Sequence, residues 1–356
     1  MAAYFNFPEI FVPPFLPLAP PAGVEYHFCM KIVVYQPVNA AWKNALSRLA
    51  ADFPAHEIIW GKEQAEEHLA SAEVVLCTSF SEEQLQQARS LKMLLVSITG
   101  VDHLPLAQLK QRGVRLANTH GNARYVAEHT AALILGYFGR IAPFHNNLAS
   151  ENKWHGFWVG KGLDDSWQSL HGKTVSIIGA GAIGGWIARF LRPFGMRVTG
   201  CRRSIPAVLP EEYDSMTASL TEAVDEGDIV VIVLPSTPET RGLFDSSLLK
   251  RMKGKVLVNV GRGNIIDEKA LYEGLLEGSP AAAVLDAWWK YPPSGETEGP
   301  PSAYSIHTLP NVLASPHIAG FVEQAVNANI EQACAAVREY LEDGNPRNEV
   351  DLSRGY

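Results

Sequence analysis

The sequence predicts an α/β protein with two Rossmann-like or flavodoxin-like domains, each built on a parallel sheet, with a cleft between them. Short apolar runs alternate with amphipathic stretches along most of the chain, a pattern typical of parallel strands joined by helices. A long helical pattern divides this alternation into two halves. The 356 residues also exceed what one hydrophobic core usually supports, so two domains are expected.

The first half of the alternation predicts five strands. They are expected at residues 31–35, 57–60, 73–77, 91–97 and 114–117. Helical spacing lies between some of them, at 81–90 and 104–111. Residues 30–125 are therefore expected to form most of one domain.

A longer helical pattern at residues 123–141 connects the halves, and a polar, tryptophan-containing loop is expected at 151–169. The second half again predicts five strands. They are expected at residues 174–178, 197–199, 229–234, 256–260 and 282–285. Residues 126–321 are therefore expected to form the second domain.

The last helical pattern, at residues 323–342, begins after Gly320. It lies far along the chain from most strands of the second half. We therefore expect residues 322–356 to return to the first domain and complete it.

Charge and hydropathy exclude two broad classes of partner. The formal net charge of -8 argues against general affinity for nucleic acid or anionic membranes, because either would need clustered Lys and Arg. No apolar run reaches the roughly 18 to 20 residues that a membrane-spanning helix needs. We expect neither a nucleic-acid nor a membrane partner.

The four cysteines, Cys29, Cys77, Cys201 and Cys334, show no CxxC or Cys/His spacing. They are expected to be reduced thiols in a cytoplasmic protein, with no metal site. Residues 1–29 are rich in Pro and Phe and lack a basic stretch, so a signal peptide is a poor interpretation. A disordered extension or a wrongly assigned start is expected there.

The turn Gly179-Ala-Gly181-Ala182-Ile183-Gly184 follows the predicted strand at 174–178 and opens a helix expected at 185–193. This context is that of a dinucleotide-binding turn. The first glycine permits the turn, the second lets the pyrophosphate approach the backbone, and the third allows close packing of helix on strand. The helix N-terminus offers free N–H groups to the phosphates. The alternative is a tight turn without a ligand.

The strand after this turn leads into Arg202-Arg203-Ser204 rather than the acidic residue that usually binds the ribose 2'-hydroxyl of NAD. Guanidinium and hydroxyl groups can bind a 2'-phosphate through charge-assisted hydrogen bonds. NADP(H) is therefore the preferred cofactor, with NAD(H) possible. The alternative is that both arginines are solvated at the end of a loop.

Two candidate catalytic residues follow predicted strands further along the chain. Arg262 stands between two glycines, where its guanidinium can bind a substrate carboxylate and polarise a carbonyl. His317 follows a proline and has an ordinary pKa near neutrality, so it can donate a proton to a carbonyl that receives hydride. Taken alone, His317 is more often a packed or capping histidine.

Several segments match a known family in order and spacing. They are Thr99-Gly100-Val101-Asp102, residues 118–122 with 126–130, the glycine turn, and residues 234–240, 262–267 and 315–317. On these segments the sequence resembles the D-isomer-specific 2-hydroxyacid dehydrogenase family. That family includes glyoxylate/hydroxypyruvate reductases, phosphoglycerate dehydrogenases and formate dehydrogenases. The resemblance covers nearly the whole chain from Met30.

The resemblance implies roles at the substrate. Arg262 would bind the carboxylate and keto oxygen, and His317 would be the general acid/base. The backbone N–H groups of Gly100 and Val101 would hold the carboxylate. Hydride would pass between nicotinamide C4 and the substrate's C2.

The resemblance also implies roles at the cofactor. Asp286 would face the nicotinamide carboxamide, and Thr130 the phosphates or the nicotinamide. Further cofactor contacts are expected at Leu234, Pro235, Thr240 and Val260. A homodimer built on the cofactor domain is implied as well.

The sequence departs from the family pattern at Tyr291, where most members have a glutamate that pairs with the catalytic histidine. A neutral tyrosine cannot stabilise the imidazolium by charge, although its hydroxyl can orient the ring. Reduction is therefore expected to fade at a lower pH. Trp288 and Trp289 stand beside Tyr291 and, with Trp154, either form an aromatic wall for a larger substrate or are buried against the sheet.

Together these features predict NADPH-dependent reduction of a short 2-keto acid, such as glyoxylate, hydroxypyruvate or a bulkier analogue, to the D-hydroxy acid. Formate dehydrogenation is the alternative within the family, but its additional polar cleft residues are not found. Another alternative is a cofactor-sensing, catalytically weak binding protein resembling the family's transcriptional corepressors. Only Tyr291 favours that alternative, whereas Arg262 and His317 favour turnover.

Overall fold

The computed structural model describes residues 29–356. The interpretation of residues 1–29 as an extension therefore falls on residues outside the described part, apart from Cys29. Two parallel sheets, of five and seven strands, account for the strands of the described chain. They confirm the predicted α/β class.

The first sheet contains all five predicted strands, and every pair is parallel. The strands are β1 (Lys31–Val34), β2 (Glu57–Trp60), β3 (Val74–Cys77), β4 (Met93–Val96) and β5 (Arg115–Ala117), in the spatial order β2-β1-β3-β4-β5. The helices between them are α1 (Ala40–Asp52), α2 (Lys62–His68), α3 (Glu82–Gln87) and α4 (Leu106–Gln111). Every residue of β3 and β4 is buried, which explains why these strands are continuous apolar runs.

Two helices connect the sheets, where the sequence predicted one long helix. They are α5 (Ala123–Phe138) and α6 (Ile141–Glu151). The break falls at Arg140, whose φ of 51° is left-handed and cannot continue a helix. Helix α5 packs its buried side against the second sheet, whereas no residue of α6 is buried.

The second sheet has the spatial order β12-β11-β10-β9-β6-β7-β8. Its strands are β6 (Thr174–Ile178), β7 (Arg197–Cys201), β8 (Ser215–Thr217), β9 (Ile229–Ile232), β10 (Val256–Asn259), β11 (Ala282–Leu285) and β12 (Val312–Ala314). The helices are α7 (Ala182–Leu191), α8 (Leu220–Glu226), α9 (Ser246–Lys250) and α10 (Glu268–Glu277). The predicted strands are confirmed, and the two edge strands β8 and β12 were not predicted.

The last helix, α11 (Glu323–Asp343), packs on α1 and against the first sheet. Its residues Ile330, Ala333 and Val337 share a core with Ile32 and Leu46. This shared core supports the proposed division into 30–125 plus 322–356 and 126–321. Among the described residues, no helix is both long and apolar enough to cross a membrane.

Candidate active site

The glycine turn joins β6 to α7, and the helix begins at Ala182, earlier than the sequence predicted. Gly179 has a φ of +108°, and a Cβ on it would lie 2.7 Å from the Val233 carbonyl oxygen. A Cβ on Gly184 would lie 2.4 Å from the Gly179 carbonyl oxygen. Gly181 differs, because no atom lies within 4 Å of a Cβ built there. The turn is therefore packed at its ends and open at its centre.

The open centre of the turn fits a pyrophosphate. Gly181 and Ala182 are exposed, and the first-turn N–H groups of Ala182, Ile183 and Gly184 have no partner within the helix. Such groups, together with the partial positive charge of the helix N-terminus, bind phosphate.

The loop after β7 presents Arg202, Arg203 and Ser204 at the surface. Among the described residues, no carboxylate forms an ion pair with either guanidinium. The Arg203 guanidinium lies instead over the ring of Tyr356, with Cζ 5.2 Å from the ring centroid. The positive charges of the two arginines are therefore not neutralised by a neighbouring carboxylate and are available to an anionic ligand.

Other expected cofactor residues lie at the same edge of the sheet, after β9 and β10. The loop that begins with Leu234 and Pro235 is closed by Thr240, whose hydroxyl donates to the Pro235 carbonyl at 2.7 Å. Val260 continues β10, and its N–H donates to the carbonyl of Ile232 in β9. Thr130 lies apart from this loop on α5, fully buried.

The Thr130 hydroxyl donates to the carbonyl of Val126, 2.7 Å away in the same helix. Its expected contact with the cofactor stays a prediction.

Arg262 reaches from the loop after β10 to the loop after β4. The buried Asn259 holds its backbone, because the Asn259 amide donates to the Arg262 carbonyl at 3.0 Å and accepts from Gly261 N–H at 3.0 Å. The Arg262 Nε atom lies 3.1 Å from Asp102 Oδ1. A Cβ on Gly100 would lie only 1.8 Å from Arg262 Nη2. The structure thus brings Gly100, its neighbour Val101, and Arg262 together, although they come from different sheets.

Asp102 belongs to the matched motif Thr99-Gly100-Val101-Asp102, and the motif alone gives its carboxylate no role. In the structure its carboxylate orients the Arg262 guanidinium through Nε. The signal available in the sequence was a carboxylate next to the Gly100-Val101 backbone.

His317 lies in the loop after β12 with a φ of +56°, an unusual conformation for a residue with a side chain. Asp286 holds this loop from the end of β11. Its carboxylate accepts hydrogen bonds from Ser315 Oγ at 2.5 Å, Ile318 N–H at 3.0 Å and Ala319 N–H at 3.1 Å. These bonds hold the strained backbone of His317 in place. The expected contact of Asp286 with nicotinamide stays a prediction.

Tyr291 provides the hydrogen-bonding partner of His317. The Tyr291 hydroxyl lies 2.7 Å from His317 Nδ1 and accepts from the Trp288 N–H at 3.1 Å. The two rings meet edge to face, with centroids 5.2 Å apart. Burial raises the pKa of Tyr291, so its hydroxyl is neutral near neutral pH. When the ring of His317 is neutral, Tyr291 can donate to Nδ1 and leave the ring proton on Nε2.

The electrostatic surroundings of His317 favour its neutral form. Burial lowers the pKa of His317 and outweighs the opposing effect of the Asp286 and Asp102 carboxylates, while Arg262 acts in the same direction as burial. Arg262 is thus close enough to His317 for its charge to act on the ring.

The two neighbouring tryptophans are structural. Trp288 is 5% exposed, and its indole N–H donates to the Ser315 carbonyl at 2.7 Å. Trp289 packs against the same core and donates to the Ile266 carbonyl at 3.0 Å. Burial therefore accounts for both of them, whereas Trp154 is exposed.

His129 of α5 also contacts the loop of His317, because its Nε2 lies 3.2 Å from Ser315 Oγ. It therefore extends the hydrogen-bonded group that holds the loop of His317.

The chain is similar to several known proteins. A family model described as the NAD-binding domain of D-isomer-specific 2-hydroxyacid dehydrogenases matches residues 131–319. A hydroxypyruvate reductase of Thermotoga maritima is 30% identical over 292 residues, which cover 77% of this chain and 90% of the relative. A D-3-phosphoglycerate dehydrogenase of Archaeoglobus fulgidus is 31% identical over 278 residues, which cover 77% of this chain but 50% of the relative.

Among solved structures, the PH0520 protein of Pyrococcus horikoshii OT3 is similar with a TM-score of 0.73 and 26% identity. The match covers 90% of this chain and 95% of that protein.

Proposed function

The chain belongs to the D-isomer-specific 2-hydroxyacid dehydrogenase family of NAD(P)-dependent oxidoreductases, and we propose that it reduces a small 2-keto acid to the D-2-hydroxy acid. The substrate we propose is of the glyoxylate or hydroxypyruvate kind. The observation that carries the proposal is the Arg262 guanidinium held against the Gly100 loop, with its charge also acting on the imidazole of His317. Hydroxypyruvate is the substrate named for the Thermotoga maritima relative, which supports the choice.

Arg262 and the loop after β4 form the proposed binding site for the substrate carboxylate. Asp102 uses Nε of the guanidinium and the Gly261 carbonyl accepts from Nη1 at 3.1 Å, so Nη2 and the second Nη1 hydrogen stay available for the carboxylate and the keto oxygen. Within the described residues, no backbone carbonyl accepts from the N–H groups of Gly100 or Val101, which can join the same anion. The absence of a side chain at Gly100 is what allows the guanidinium this close to the loop.

The proposed cofactor site runs along the carboxyl edge of the second sheet. Gly179, Gly181, Ala182, Ile183 and Gly184 would hold the pyrophosphate. The nicotinamide half of the cofactor would be held by residues after β9, β10 and β11 and on α5, namely Leu234, Pro235, Thr240, Val260, Asp286 and Thr130. The bound cofactor supplies the hydride that adds to C2 of the keto acid.

His317 would supply the proton of the reaction. The imidazolium donates from Nε2 to the keto oxygen as C2 receives hydride, and the ring ends neutral. During this change Tyr291 can accept from Nδ1–H of the imidazolium or donate to Nδ1 of the neutral ring. Tyr291 therefore orients His317 in both states.

We further propose that NADP(H) is preferred to NAD(H). NAD-binding domains usually have a carboxylate after the second strand, which would repel a 2'-phosphate. This chain has Arg202, Arg203 and Ser204 at that position instead. Steady-state kinetics with both cofactors test this. A lower KM for NADPH than for NADH is expected, and a clear preference for NADH would overturn the proposal.

A homodimer built on the second domain is also proposed. Helix α6 and the loop after it expose a set of large apolar side chains, of which Trp158 is 92% exposed. Large exposed apolar side chains grouped along one segment often mark a protein interface. The set, here called the arm surface, consists of Ile141, Leu148, Trp154, Phe157, Trp158 and Trp167.

A cytoplasmic location completes the proposal. Cys77, Cys201 and Cys334 are buried free thiols, which suits a reducing compartment.

A panel of 2-keto acids mixed with the protein and NADPH or NADH, followed by absorbance at the nicotinamide band, tests the proposed function. Glyoxylate or hydroxypyruvate is expected to be reduced, and formate with NADP⁺ is expected to give no signal. Inactivity across the whole panel would contradict the proposal. Such inactivity would favour a cofactor-sensing binding protein instead. The neutral Tyr291 beside His317 is the feature that suits this alternative.

A further inference from the structure

Residues 348–350 fix the segment after α11 to the first sheet. Ala117 and Glu349 form an antiparallel bridge, and the Val350 N–H donates to the Leu116 carbonyl at 2.7 Å. The Asn118 N–H donates to the Asn348 carbonyl at 3.1 Å. The segment thus leaves the first domain from a fixed point at the edge of β5.

The following turn directs the chain toward the second domain. The N–H groups of Arg354 and Gly355 both donate to the Asp351 carbonyl, and Gly355 has a φ of +78°. A Cβ on Gly355 would lie 3.6 Å from both Leu106 Cδ1 and Thr237 Cγ2. The turn therefore lies between α4 of the first domain and the loop after β9 of the second.

Tyr356 then contacts Arg203 in the loop after β7. The guanidinium lies over the tyrosine ring, and Nη2 donates to the tyrosine hydroxyl. A guanidinium has five N–H donors, and this bond uses one of them. Tyr356 thus contacts Arg203 through its ring and its hydroxyl, uses one of the five donors and leaves the others available.

An exposed arginine loses considerable rotamer freedom when it binds a ligand. An aromatic ring that contacts the guanidinium removes part of that freedom beforehand, so less is lost on binding. Arg203 is exposed, and among the described residues no carboxylate holds it. The contact that orders it in this structure is made by Tyr356.

We propose that Tyr356 is a positioning residue for cofactor specificity, which orders Arg203 to receive the 2'-phosphate of an NADP-type dinucleotide. This inference rests on the proposed NADP preference. It adds that the first domain, through residues 348–356, contributes to the choice of cofactor bound by the second.

Equilibrium titrations of the full chain with NADP⁺ and NAD⁺ test the inference without turnover. Tyr356→Leu is expected to weaken NADP⁺ binding about fivefold and leave NAD⁺ binding unchanged. Tyr356→Phe keeps the ring and is expected to lose less NADP⁺ affinity than Tyr356→Leu. The matched control is Tyr340→Leu, because the Arg115 guanidinium lies 5.8 Å from the Tyr340 ring centroid in the first domain; it should alter neither affinity.

Arg203→Ala separates the two proposals. If Arg203→Ala weakens NADP⁺ binding and Tyr356→Leu does not, the inference is wrong and the NADP preference stands. Tighter NADP⁺ binding by Tyr356→Leu would also overturn the inference, since Tyr356 would then obstruct the site. Equal affinity of the unaltered chain for NADP⁺ and NAD⁺ would contradict the NADP preference and the inference together.

Discussion

Tyr291 gives His317 a neutral partner that acts as a hydrogen-bond donor or acceptor. A carboxylate in this position would only accept and would favour the imidazolium. Reduction needs the imidazolium, and burial lowers the pKa of His317. We therefore expect kcat/KM for reduction to fall as pH rises through this lowered pKa. A pH-rate profile measures this alkaline limb.

Replacing Tyr291 by Glu tests the same contact. A carboxylate beside Nδ1 raises the pKa of His317, so the alkaline limb should move upward by about one pH unit or more. Tyr291→Phe is the control, because it keeps the ring contact and loses the hydroxyl; its limb should not move upward, while kcat falls. An unchanged limb in Tyr291→Glu would show that position 291 does not influence the proton on His317.

Gly100 makes room for the Arg262 guanidinium, which a Cβ would meet at 1.8 Å. Gly100→Ala is therefore expected to displace the guanidinium and raise KM for the keto acid about tenfold. Gly136→Ala is the matched control, since no atom lies within 4 Å of a Cβ at that helical position. Steady-state kinetics compare the two variants, and an unchanged KM in Gly100→Ala would contradict the proposed substrate site.

In the turn between β6 and α7, packing and ligand binding depend on different glycines. Gly184→Ala places a Cβ 2.4 Å from the Gly179 carbonyl oxygen, so we expect the free energy of unfolding to fall by about 1–3 kcal/mol. Gly181→Ala has room for its Cβ and should retain stability, while cofactor affinity falls about tenfold because the methyl group meets the pyrophosphate. Thermal unfolding and cofactor titration distinguish the two. Loss of stability in both variants would contradict the assignment of Gly181 to ligand binding rather than to packing.

The individual strands and helices show what the sequence can predict. Strands β6 and β11 occupy the predicted residues because each is an apolar run bounded by breaks in the pattern. Strands β8 and β12 have three residues each at the sheet edges and, unlike the equally short β5, bury none of them, so burial does not mark them in the sequence. Helix α6 buries no residue and exposes its apolar residues Ile141 and Leu148, so no packing against either sheet marks it in the sequence.

The contacts within the site could not be predicted in the same way. The glycine turn is local, and its residues specify it directly. Arg262 and Asp102 are 160 residues apart, and Arg203 and Tyr356 are 153 apart. Such pairs depend on how two sheets and their loops pack, which no local pattern reports. Motifs therefore suggested Arg262 and His317, whereas Asp102 and Tyr356 needed the structure.

In the whole molecule, the arm surface would form the interface of the proposed dimer. Trp158→Lys places a charge at its most exposed side chain and is expected to shift the protein from dimer to monomer. Light scattering after size-exclusion chromatography measures the mass. Val208→Lys is the control, because Val208 is also exposed but lies outside the arm surface. If the unaltered chain is a monomer, or if Trp158→Lys stays dimeric, the arm surface does not form the interface.

The two domains meet at the proposed reaction centre, where Arg262 from one contacts the loop of Gly100 from the other. The central claim is that His317 supplies the proton within this cleft. It is tested by kcat/KM for reduction of the preferred keto acid in His317→Gln. We expect a loss of about a hundredfold to ten-thousandfold, with unchanged cofactor affinity. A rate equal to that of the unaltered protein would contradict the account.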